Sequence, residues 1–162
     1  MSNKIAMFPG SFDPVTNGHL DIIKRISPLY DKVYVVVEHN DAKKSLFSSE
    51  ERKSMLVELL SEYKNVQVES WDGLTVEFAK INKVDVIVRG VRTSSDFEYE
   101  CEFANVNKML FPDIEVVFLP SDPKFTVIRS STVREIASHG YDVTSMVPEL
   151  VARELSKKLG AC

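Results

Sequence analysis

Short, β-branched apolar runs alternate along the chain with longer stretches whose apolar residues recur every three or four positions. Lys4 to Phe8, Val33 to Val37, Val66 to Glu69, Val84 to Val88 and Ile114 to Leu119 are short and largely apolar, the pattern of strands buried on both faces of a sheet. Between them Leu20, Ile23 and Ile26 form one stripe at helical spacing, and Met55, Leu56, Leu59 and Leu60 form another. Each stripe is suited to lie against such a sheet. Ser48 followed by Glu51 has the capping-box spacing, in which each side chain satisfies a free amide of the first helical turn. Leu74 to Ile81 and Ser130 to Ala137 read as further helices, and Pro148 suits the first position of a C-terminal helix running through Leu159.

Strands alternating with helices predict an α/β fold, a Rossmann-like open sheet of five parallel strands with helices on both faces. Asp96 to Phe103 alternates acidic and apolar residues with period two, which alone favours a strand. The continuation through Ala104, Val106, Met109 and Leu110 at helical spacing, and the need for a crossover before the next parallel strand, predict a helix instead. At 162 residues the chain suits one domain spanning 1–162, large enough to bury a core without disulfides or a structural metal.

A net charge of −4 disfavours broad binding to nucleic acid or to an anionic membrane, so an acidic ligand needs a local basic pocket. Cys101 and Cys162 are the only cysteines and show no bridging spacing. With no apolar run long enough for a span and no signal-peptide pattern, a cytoplasmic location is expected. His19, His39 and His139 are far apart and combine with neither cysteine at a zinc-site spacing. His39, His139 and Lys44 are expected at the surface, and Cys101 in the core or an interface.

The segment Phe8-Pro9-Gly10-Ser11-Phe12-Asp13-Pro14-Val15-Thr16-Asn17-Gly18-His19 joins the first strand to the first helix, where an open parallel sheet places its ligands. A helix start there offers unpaired amides to phosphate. Neither GxGxxG nor GxxxxGK[ST] occurs, so this is neither a dinucleotide fingerprint nor a P-loop. His19 can donate to a phosphate oxygen or serve simply as a capping histidine, and Gly18 lets a polyphosphate approach the backbone closely. Arg89 follows the fourth apolar run with Gly90 behind it. That position favours a ligand contact over a structural ion pair.

Gly10-Ser11-Phe12-Asp13-Pro14 followed by Thr16-Asn17-Gly18-His19 resembles the (T/H)xGH signature of the nucleotidyltransferases. Arg89-Gly90-Val91-Arg92, Asp96-Phe97-Glu98-Tyr99-Glu100 and Ser130-Ser131-Thr132-Val133-Arg134-Glu135 are similar, in order and separation, to blocks of the bacterial phosphopantetheine adenylyltransferases. The resemblance implies transfer of the adenylyl group of ATP to 4′-phosphopantetheine with magnesium as cofactor, a homohexamer, and competition by coenzyme A. It implies that His19 stabilises the transition state, that Ser11, Lys43 and Arg89 hold the acceptor phosphate, and that Leu74 and Thr75 line the pantetheine arm. By the same resemblance Ser11, Phe12, His19, Gly90, Val91, Arg92, Glu100 and Phe125-Thr126-Val127-Ile128-Arg129-Ser130-Ser131 contact ATP. The family usually has serine where this chain has Arg129, which can add a charged contact to the β- or γ-phosphate or point to solvent. Three other readings remain: a nucleotidyltransferase acting on nicotinamide mononucleotide or glycerol 3-phosphate, a regulatory module that binds ATP without reaction, and, more remotely, a scaffold protein that binds no nucleotide. The block from Arg89 to Glu100 favours phosphopantetheine over the first. The joint presence of His19, Lys43 and Arg89 disfavours the second.

Overall fold

The computed structural model of the chain describes residues 4–39 and 44–160. Five strands, β1 (Ile5–Gly10), β2 (Lys32–Glu38), β3 (Val66–Trp71), β4 (Val86–Val91) and β5 (Glu115–Pro120), form one parallel sheet in the order β3-β2-β1-β4-β5. The helices are α1 (Asn17–Ile26), α2 (Ser49–Leu59), α3 (Thr75–Ile81), α4 (Ser94–Leu110), α5 (Ser130–Ser138) and α6 (Glu149–Leu159). The chain winds outward from β1 through β2 to β3, then returns across the sheet to β4 and β5. Its direction reverses between β1 and β4, which leaves a crevice at their C-terminal ends.

Strand side chains alternate between the two faces and divide the core in two. Ala6, Phe8, Val33, Val35 and Val37 pack with Ile22, Ile23 and Ile26 of α1, Met55 and Leu56 of α2, Val133 of α5, and Val151 and Leu155 of α6. Met7, Tyr34, Val36 and Ile87 face the other way, with Phe78 and Ala79 of α3, and Phe103 of α4 packs against them. The capping box predicted at Ser48 and Glu51 is formed, and Thr16 and His19 form a second one at α1.

Several boundaries differ from those expected. β1 continues past Phe8, with Pro9 and Gly10 in register opposite Val36 and Val37. Pro9 is tolerated because its carbonyl faces β4, where it accepts from Arg89 Nη1 at 3.2 Å. Its missing N–H therefore falls on that side too and leaves the β2 ladder whole. β4 and β5 begin one or two residues later than the apolar runs, although Val84 and Ile114 are still buried. Pro148 caps α6 rather than beginning it.

The Asp96 to Phe103 stretch is helical as expected, and Thr93 caps it by accepting from the Asp96 amide. The burial within α4 was not foreseen. Its buried positions are Glu100 and Asn107, while Met109 is 83% exposed and Val106 and Leu110 are more than half exposed. Among the described residues no helix is long and apolar enough to cross a membrane.

Met7 and Ile87 form the last residue pair between β1 and β4, and both are fully buried. Ile87→Ala should lower the unfolding free energy by about 2–5 kcal/mol, measured by urea denaturation.

Candidate active site

The crevice opens into a cleft of about 760 Å³, within the size range of small-molecule sites. The β1–α1 loop, the N-termini of α1 and α5, the end of β4, the start of α3 and the segment leading into α2 all contribute to its wall.

His19 is the third residue of α1, and its Nδ1 accepts the backbone N–H of Thr16 at 3.0 Å. A backbone N–H can only donate, so in the neutral ring the hydrogen sits on Nε2, which is then a donor. Burial first, and the Arg92 guanidinium second, hold the imidazole well below its usual 6.5, at about 4. His19 is thus both the capping residue and a neutral donor on the cleft wall. Phe12 supports it edge-on, with ring centroids 5.0 Å apart, and is itself buried with a positive φ of 48°. Phe12 lines the cleft and also packs against the His19 ring. At Gly10 a Cβ would sit 3.2 Å from the Phe12 ring, tighter than normal packing. At Gly18 a Cβ would meet nothing closer than 3.5 Å, so packing does not require that glycine.

Arg89 lies within β4 and is held by Glu100 through Nε (2.6 Å) and Nη2 (2.9 Å). The ion pair that was the competing reading from the sequence is present. The side chains are only 16% and 11% exposed, and so deeply placed a guanidinium needs a counter-charge. Its plane rests 4.5 Å from the Phe103 ring centroid. Three of the five N–H groups bind Glu100 and Pro9, and the guanidinium still faces the cleft with the others. Arg92 is oriented similarly by Asp96 (2.8 Å) and the Ile128 carbonyl (3.3 Å).

Ser11, Gly90, Leu74 and Thr75 also reach the wall. Thr75 donates to Glu38 at 2.5 Å, and Leu74 is 58% exposed beside it. Phe125, Ile128, Arg129, Ser130 and Ser131 line the cleft too, whereas Val91, Thr126 and Val127 do not. Val127 lies within the turn in which the Ile128 amide bonds the Phe125 carbonyl, and it faces solvent. Arg129 caps α5, is exposed, and makes no side-chain hydrogen bond among the described residues. Lys43 lies outside the described residues. Lys44 and His39, both expected to be ordinary surface residues, are exposed but stand on the wall. His39 also bonds Ser49 Oγ at 3.0 Å. His139 is at the surface as expected, and Cys101 is half-buried.

Sequence reasoning passed over the residues that hold the loop. Asp13 is buried, accepts the amides of Leu46 and Phe47 at 2.9 Å each, and pairs with Arg134 at 3.5 Å. Arg134 Nη1 also donates to the Asp13 carbonyl. Arg52 is 1% exposed. Its burial pulls its pKa below the usual value, opposed by the charges of Asp13 and Glu50. A signal was present, because Arg52 extends the stripe of Met55, Leu56, Leu59 and Leu60 toward the N-terminus.

The wall's carboxylates are engaged: Asp13 by two amides and Arg134, Glu38 by Thr75, Glu100 by Arg89. No cluster of three or more His, Cys, Asp or Glu able to hold a metal occurs among the described residues. This donor set suits a metal ion carried on a ligand's own phosphates.

A neutral donor at a helix start, with guanidinium groups beside it at the switch point of a parallel sheet, suits a nucleotidyltransferase. The cytidylyltransferase-like family model matches residues 7–136. Solved structures agree in fold: a candidate nicotinate-nucleotide adenylyltransferase from Vibrio parahaemolyticus (TM-score 0.69, 20% identity, covering 95% of this chain and 99% of that one), and the Plasmodium falciparum nicotinic acid mononucleotide adenylyltransferase (0.69, 16%, 97% and 96%). Much nearer in sequence are phosphopantetheine adenylyltransferases of Bdellovibrio bacteriovorus, 49% identical over 97% of this chain and 98% of the relative, and Dictyoglomus thermophilum, 50% identical over 96% and 94%. The chain belongs to the phosphopantetheine adenylyltransferase family.

The His19 ring should show the Nε2–H tautomer by nitrogen-15 NMR and should not titrate above about pH 5. Between pH 6.5 and about 4 the unfolded chain binds a proton at this residue and the folded chain does not. Stability should therefore fall as pH drops through that window, and His19→Gln should flatten the slope in urea titrations.

Proposed function

We propose that this cleft transfers the adenylyl group of ATP to 4′-phosphopantetheine, giving dephospho-coenzyme A and pyrophosphate, by direct attack of one phosphate on another. An acceptor-phosphate oxygen bonds to the α-phosphorus as the bond to the bridging oxygen breaks and pyrophosphate leaves. No side chain has to act as a nucleophile, and the protein's task is to align two polyanions and stabilise developing charge. The observation that carries this reading is the convergence of the His19 donor with Arg89 and Arg92 on one wall. Both cations are held in place by carboxylates.

In this reading His19 Nε2–H binds the α-phosphate region, and its neutrality leaves charge compensation to the arginines. Ser11 contacts both reacting phosphates, Arg89 and Lys43 hold the acceptor phosphate, and Leu74 and Thr75 line the pantetheine arm. Glu100 acts through Arg89. Gly90, Arg92, Phe125, Ile128, Arg129, Ser130 and Ser131 surround the nucleotide, and Arg129 reaches the β- or γ-phosphate. Magnesium bound to ATP would offset part of the triphosphate charge, held by phosphate and water, since the wall's carboxylates among the described residues are engaged by internal donors. Coenzyme A, which carries the same pantetheine arm and an adenine nucleotide, competes for the cleft.

We read the exposed apolar face formed by Val106, Met109 and Leu110 of α4 with Val117 of β5 as the contact between copies in a homohexamer, since a patch of this kind is unfavourable in water. A cytoplasmic location fits the two cysteines without bridging spacing.

Pyrophosphate release should require 4′-phosphopantetheine rather than nicotinamide mononucleotide or glycerol 3-phosphate. His19→Ala should lower turnover about 10²–10³-fold while ATP binding changes little. Arg129→Ser should raise the KM for ATP several-fold, read in the same assay. Met109→Asp should shift light-scattering mass to a smaller assembly.

A further inference from the structure

Arg52 is a cation with almost no exposure and no carboxylate in direct contact among the described residues. Instead its guanidinium gathers oxygens from three segments of the chain. Nη1 donates to the Ser11 carbonyl at 2.5 Å and to the Glu38 carbonyl at 3.1 Å. Nε donates to the Ser48 carbonyl at 3.2 Å and Nη2 to Ser49 Oγ at 3.1 Å. Ser11 belongs to the β1–α1 loop on the cleft wall, Glu38 ends β2, and Ser48 and Ser49 begin α2. The Glu38 carboxylate in turn accepts from Thr75 at the start of α3.

Granted the reaction read above, we infer that Arg52 is a positioning residue that sets the separation of the two reacting phosphates. Through Ser11 it fixes the loop on which a reacting phosphate rests. Through Glu38 and Thr75 it fixes the wall along which the acceptor arm lies. One rigid, planar fork, its donors engaged by the chain's own oxygens at the cleft wall, thus spans both half-sites, and a guanidinium can do this because its donors diverge at fixed angles. Lysine preserves the charge but carries a single tetrahedral head, which cannot reproduce the fork. A loss of alignment acts on turnover rather than on binding of either substrate alone, because each half-site keeps its own contacts.

The test compares wild type, Arg52→Lys and Leu155→Ala, the last a destabilising control in α6 far from the cleft wall. Thermal unfolding, calorimetric binding of ATP and of 4′-phosphopantetheine separately, and kcat of the folded enzyme are measured for each. Arg52→Lys should lose about tenfold to a hundredfold in kcat while both dissociation constants stay within about threefold. Leu155→Ala should lose stability and keep its kcat. Wild-type kcat in Arg52→Lys, or an equal kcat loss in Leu155→Ala, would overturn the inference. If Arg52→Lys does not fold, Ser49→Ala gives the reading by freeing one arm of the fork: a several-fold fall in kcat supports the inference and an unchanged kcat rejects it. An inactive wild type with 4′-phosphopantetheine would instead reject the reaction itself.

Discussion

The two central strands β1 and β4 share a ladder over two residue pairs and then part, and backbone left without a neighbouring strand must find other partners. At Pro9 the missing partner is the guanidinium of Arg89, which reaches across from β4 to take the carbonyl. That placement puts a cation within the sheet's edge-on opening, where it needs a counter-charge, and α4 supplies Glu100 from its buried face. The same parting leaves room for Phe12 to turn inward beneath His19. Separation of the strands, burial of the ion pair and support of the histidine are consequences of one break in pairing.

Charge is distributed around this opening with a consistent logic. Each carboxylate on the wall is matched to an internal donor, which leaves the cationic groups as the ones able to meet a phosphate. His19 contributes no charge near neutral pH, so it adds a directed hydrogen bond without adding to the repulsion among Arg89, Arg92 and their neighbours. A chain that is acidic overall can therefore present a local site for polyanions, which is what net charge alone argued would be needed. In a family whose chemistry joins two phosphates, fixed donors of this kind replace a nucleophile.

Sequence alone determined the element types and their order, because burial on both faces of a parallel sheet forces continuous apolar strands and one-sided helices, and both patterns survive in one dimension. It also determined the location of the cleft, since ligands of such sheets lie beyond the strand ends, and the motif ending in His19 stands there. The tertiary structure alone decided which charged residues are partners. Arg89 and Glu100 are eleven positions apart, and Arg52 and Ser11 forty-one. Nothing in local spacing tells a buried pair from two solvated charges, because the desolvation that makes the pairing necessary arises only when separate elements close over it. For the same reason the period of the apolar residues in α4 marked a helix but not its inner face, and only the packed fold turned Glu100 and Asn107 inward and left Val106, Met109 and Leu110 facing out.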